Sequence, residues 1–120
     1  MLYYHQDTGL FTGLPNGQVF TGYSGTGKGR NAPAMQAVAS VGPIPKGVWK
    51  IGPAYHHPVL GVLTMDLEPM PGTNTFGRSA FRIHGNDADN DASHGCIILT
   101  PWIRKQINDL PPALRYITVL

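Results

Sequence analysis

There is one cysteine in this chain, so no intramolecular disulfide supports the fold and the core must hold it together. Charge is also scarce. Lys, Arg, Asp and Glu make up 13% of the 120 residues and leave a net charge of +2, without the clustered basic face that a nucleic-acid surface needs. Residues 1–60 carry +3 and residues 61–120 carry −1. No run approaches the roughly 20 apolar residues of a membrane span. The opening MLYYHQDTGLFTG turns polar by His5, which lacks the form of a secretory leader, so delivery outside the cytoplasm is expected to depend on other machinery. There is no paired CxxC or HxxxH spacing. The glycine-rich stretch GYSGTGKGR (22–30) lacks the Walker order, since Gly29 follows Lys28, and reads as a surface loop.

Glycine and proline are plentiful instead, at 15 and 11 residues. They cut the sequence into short pieces, the punctuation of a mainly β domain. At this length one domain spanning 1–120 is expected. Strands are predicted at 2–6, 18–23, 48–51, 59–67, 79–84, 96–99 and 115–120, with a turn at Gly9-Leu10. Asn16-Gly17 carries the signature of a two-residue type I′ hairpin. A short helix is expected at 33–40 with Asn31 as cap, and His56-His57 reads as an exposed turn. A second helix should start at Thr100 as cap and Pro101 in the first turn, bury Ile103, Ile107 and Leu110, and stop at Pro111-Pro112.

The chemistry concentrates in FRIHGNDADNDASHGC (81–96). Phe81 and Ile83 alternate with Arg82 and His84, a strand with two apolar side chains inward and two polar ones outward. Asn86 to Asp91 form a loop with no apolar face, and Cys96 returns at a loop-to-strand junction twelve positions after His84. A thiol attacks carbonyls as thiolate and needs a neighbouring base or cation. His84 is placed to be that base, and reactivity of this kind predicts a thiol that titrates below the ordinary range. Gly95 permits an unusual backbone angle, so the amides of Gly95 and Cys96 are expected to form an oxyanion hole, with Ser93 and His94 as polar neighbours. Zinc on His84, His94, Cys96 and an aspartate is a competing reading that the spacing does not favour. The loop also lacks the glycine and glutamate of an EF-hand calcium site.

In order along the chain, YYHQDTGLFTGLPNGQVFTGYSGTGKGRN, GPIPKG, FRIHGN and SHGCIIL resemble the YkuD-type L,D-transpeptidase catalytic domain. They are most similar to its small branch of type VI secretion effectors that target peptidoglycan. The resemblance implies a mainly β sandwich or barrel with one or two short helices, and no cofactor or metal. It implies an L,D-carboxypeptidase, with L,D-transpeptidase exchange of D-amino acids as a second outcome. The substrate would be the peptidoglycan stem peptide at meso-diaminopimelate. Cys96 would be nucleophile, His84 base, Gly95 and Cys96 oxyanion donors, and Ser93 and His94 supporting residues. Arg78, Arg82 and Tyr23 would bind substrate, with Arg104 as a further candidate for a carboxylate. Ile98 stands where many L,D-transpeptidases have Arg or Asn, and the twelve-residue gap is short for a crosslinking enzyme, which favours the effector branch. A monomer acting in the periplasm of a target bacterium is implied, with an immunity protein and a secretion adaptor as partners and no nucleic acid or membrane. A housekeeping crosslinking enzyme and a non-catalytic wall-binding module are the alternatives.

Overall fold

The computed structural model describes residues 1–120. Ten strands and one helix follow one another as β1 Leu2–Tyr4, β2 Leu10–Thr12, β3 Phe20–Thr21, β4 Tyr23–Ser24, β5 Gly47–Ile51, β6 Tyr55–His57, β7 Gly61–Pro69, β8 Arg82–His84, β9 Ile97–Ile98, α1 Pro101–Asn108 and β10 Tyr116–Val119. The fold is mainly β. Neighbouring strands run in the order β3-β2-β1-β10-β5-β7-β8-β9-β4, and β6 pairs with β7.

The two ends of this path, β3 and β4, are consecutive in the chain and are separated by Gly22 alone. The sheet therefore nearly closes into a barrel, with its ends joined covalently at one residue. The expected strand 18–23 is broken there, because its first part pairs with β2 and its second with β9. A Cβ on Gly22 would lie 1.9 Å from the Ile98 carbonyl oxygen. That contact is with backbone, which cannot rotate away. Gly22→Ala is expected to destabilise the domain by about 3 kcal/mol, the upper end for overpacking, read as a lower denaturant midpoint at unchanged slope.

Alternating burial explains the central strands. Trp49 and Ile51 of β5, Ile117 and Val119 of β10, and Ile83 and Ile97 of β8 and β9 all point into one core of 18 residues. β10 sits between β1, to which it is parallel, and β5, to which it is antiparallel. Helix α1 covers this core with Ile103 and Ile107, and Leu110 follows just beyond its end.

Several local expectations change. Gly9-Leu10 is not a turn as a unit, since Leu10 opens β2. Asn16-Gly17 belongs to a four-residue turn closed by Gly17 N–H to Leu14 O at 2.9 Å, inside the long connection 13–19, because Pro15 favours this turn over a two-residue hairpin. The expected 33–40 helix shrinks to a 3₁₀ turn at Pro33–Met35. The first strand ends at Tyr4, the 59–67 strand spans 61–69 and the 79–84 strand starts at Arg82. His56-His57 lies in β6, where His57 Nδ1 accepts from Val59 and Leu60 N–H at 3.0 Å each. Thr100 precedes α1 but makes no side-chain cap bond.

Candidate active site

Parallel pairing of β8 with β9 sets Ile83 opposite Ile97 and His84 opposite Ile98. Both Ile83 and Ile97 are fully buried, so period-two alternation puts Arg82, His84 and Cys96 together on the other face. His84 does not face solvent as expected from its strand pattern. It is 2% exposed, and it lines a cavity together with Val59 and Leu60 of the turn after β6.

His84 Nδ1 lies 2.9 Å from the Gly85 carbonyl. A carbonyl only accepts, so the neutral ring carries its proton on Nδ1 and keeps a lone pair on Nε2. Burial lowers the imidazole pKa, the Gly85 carbonyl partly opposes this, and the Arg104 and Arg82 charges lower it further. The ring is thus predominantly neutral at pH 7.

Cys96 is half-buried, and its thiol donates weakly to the Ala80 carbonyl at 3.8 Å. Ala80 adopts φ 64°, in the left-handed region, which costs an L-residue about 1 kcal/mol. Burial pushes the thiol up; the Arg82 backbone N–H and the Arg82 and Arg78 charges pull it down, with burial the largest influence. No hydrogen bond joins the sulfur to His84. This reverses the expectation of a low-titrating thiol. Alkylation of Cys96 by iodoacetamide is expected to show a pH midpoint above that of a free thiol, measured by adduct mass across pH.

Ser93 is fully buried, and its hydroxyl is fully committed. It donates to the Cys96 carbonyl at 2.6 Å and accepts from Gly25 N–H at 2.9 Å and Gly95 N–H at 3.1 Å. One donor and two lone pairs allow no more. Ser93 therefore anchors the loop that carries the thiol and does not face the cleft. The Gly95 N–H is correspondingly unavailable as an oxyanion donor, whereas the Cys96 N–H makes no intramolecular hydrogen bond. Gly95 is needed for its shape: φ is +129°, and a Cβ would lie 2.5 Å from the Arg78 guanidinium. Ser93→Ala should cost about 3 kcal/mol by orphaning three buried groups and should lower kcat by shifting Cys96. Thermal unfolding and turnover measured on the same protein check both effects.

The arginines separate by their partners. Arg78 is 9% exposed and donates to the carbonyls of Gln36, Pro43, Gly42 and His94, with its fork over Phe81 at 5.0 Å. Phe81 in turn meets Trp49 edge-on. The expected substrate-binding role of Arg78 gives way to a clamp on the backbone around the thiol. Arg104 is likewise buried and bonded to the carbonyls of Leu99, Val62 and Leu63. Arg82 differs. Its Nε bonds Asp66 at 3.1 Å and the Tyr55 hydroxyl at 3.3 Å, and its two terminal nitrogens are uncommitted.

Tyr23 is buried, with its hydroxyl donating to Asn86 Oδ1 at 2.6 Å and accepting from Ala92 N–H at 2.7 Å. It pins the 86–92 loop, and its one O–H donor is committed there. The glycine-rich segment assists this: Thr26 bonds Asp91 and Arg30 bonds the Asn90 carbonyl. Its role is to buttress the acidic loop.

Two cavities meet at this place. One of about 310 Å³ contains His84, Asp87 and Asp91; the other, of about 330 Å³, contains Cys96, Arg78 and Ser40. His94 lines both, held by Nδ1 at 3.2 Å from the Ser40 carbonyl. His84, His94 and Cys96 do not converge with an aspartate into a metal-ligand set. A family model described as the Tlde1 domain matches residues 18–111, which include every side chain of this site and leave β1, β2 and β10 outside. No curated protein and no solved structure matches the chain.

Proposed function

The chain belongs to the Tlde1 domain family, a family of type VI secretion effectors, and from that membership we propose that it is a cysteine-dependent L,D-carboxypeptidase of peptidoglycan stem peptides. The observation that carries this reading is Cys96 on the same strand face as a buried histidine whose tautomer leaves Nε2 free. A neutral base on the same face as a protonated thiol suits attack on an amide carbonyl.

In this mechanism His84 Nε2 takes the Cys96 proton as sulfur bonds to the carbonyl carbon of the diaminopimelate residue. The Cys96 N–H donates to the developing oxyanion. Collapse breaks the C–N bond, His84 gives the proton to the departing D-alanine amine, and a thioester remains. Water, deprotonated by His84, then releases the tripeptide stem; a D-amino acid amine in place of water gives exchange. The uncommitted guanidinium nitrogens of Arg82 suit the carboxylate of the terminal D-alanine.

As an antibacterial effector the protein would be made in one cell and act in the periplasm of another, with an immunity protein protecting the producer and an adaptor delivering it. Acid-quenched mass spectrometry of the protein mixed with a tetrapeptide stem tests the chemistry. A tripeptidyl adduct on Cys96 is expected. Release of D-alanine by the Cys96→Ala protein at the wild-type rate contradicts it.

A further inference from the structure

The two cavities that share His94 carry opposite charge. The one containing His84 is lined by Asp87 and Asp91 and by no Lys or Arg; the one containing Cys96 is lined by Arg78 and by no acidic residue. Each aspartate keeps one oxygen free. Asp87 Oδ1 accepts the N–H groups of Asp89 and Asp91 at 3.1 Å, and Asp91 Oδ1 accepts the Thr26 hydroxyl at 2.6 Å, which leaves both Oδ2 atoms without a partner in the protein. His84 opens into the same cavity while 98% of it is covered, with Nε2 lacking a hydrogen bond. A buried base aimed into an anionic cavity, next to a cationic one, describes a cleft shaped for a dipolar ligand.

We infer that Asp87 and Asp91 form a subsite for the side-chain ammonium group of the diamino acid whose carbonyl Cys96 attacks. This rests on the carboxypeptidase reading and names its specificity residues. The amine enters the His84 cavity, while the C-terminal carboxylate beyond the scissile bond lies toward Arg82, whose terminal nitrogens are uncommitted. A stem peptide without an amine at this position would leave these two solvent-exposed carboxylates to water alone. Recognition thus distinguishes a diamino acid from an isosteric neutral one by charge.

Asparagine at both positions preserves the Oδ1 acceptors that shape the loop and removes the charge. Isothermal titration uses the wild-type protein and the Asp87→Asn/Asp91→Asn protein, each with the tripeptide product, either free or acetylated on its side-chain amine. Acetylation is expected to weaken binding to wild type by about 10- to 100-fold, the range of a charge-assisted hydrogen bond, and to change binding to the double variant by less than about 3-fold. Equal affinity of wild type for both peptides overturns the assignment. So does an undiminished acetylation effect in a variant whose unfolding midpoint matches wild type, or failure of wild type to bind the free tripeptide at millimolar concentration. Because binding is read without turnover, absence of D-alanine release alongside the expected affinities would reject the carboxypeptidase reading and leave the ammonium subsite standing.

Discussion

Cys96→Ala is expected to abolish the proposed D-alanine release, lowering kcat/KM by at least about 10³-fold, as loss of a covalent nucleophile does in hydrolases. The same change leaves the fold nearly untouched. The thiol is half-buried, and the hydrogen bond it donates, to Ala80 O at 3.8 Å, is long, so a stability loss of no more than about 1 kcal/mol is expected. Activity and stability therefore part company at this residue. Ser93→Ala differs because Ser93 ties three backbone groups together, and there both quantities fall. Steady-state kinetics and denaturant unfolding on the two variants separate a reacting group from a positioning one.

His84→Gln lowers kcat by about 10²- to 10⁴-fold, the usual range for a general base, with KM changed much less. It also alters the response to acid. The folded imidazole binds a proton less readily than the unfolded one, chiefly because it is buried. In the window below the ordinary value of 6.5 the unfolded chain therefore binds more protons, and stability rises with pH. The contribution is complete above 6.5 and is lost as pH falls through the lower folded value. Glutamine does not titrate. Wild type should lose stability on acidification in this window more steeply than His84→Gln, as read by unfolding midpoints at a series of pH values. Wild-type activity should have its acid limb below 6.5 for the same reason.

The sequence made some of this legible because local rules decide it. His84 ends a strand and Cys96 precedes one, as the alternation FRIH and the apolar run after Cys96 indicate. Pro101 and the spacing of Ile103 and Ile107 fix the one helix. The partners of the polar residues were not legible, because they lie far apart in the chain. Ser93 meets Gly25 across 68 positions, Tyr23 meets Asn86 across 63, and Arg78 holds a carbonyl 42 positions away. A serine or tyrosine near a thiol reads as a cleft residue until its hydroxyl is seen to be fully bonded. β6 was not legible either, because its Tyr55–His57 sequence lacks an apolar alternation that would mark it as a strand. Gly22 offered no sign that it closes the sheet, since its constraint is the Ile98 carbonyl.

The central claim, that Cys96 cleaves the stem peptide through a thioester, is tested most directly by mass spectrometry of muropeptides. Peptidoglycan would be incubated with wild type and with Cys96→Ala, each with and without an added D-amino acid. Loss of one D-alanine from tetrapeptide stems by wild type alone is predicted, with replacement of that D-alanine by the added amino acid where exchange competes with water. Identical muropeptide profiles for the two proteins would contradict the account.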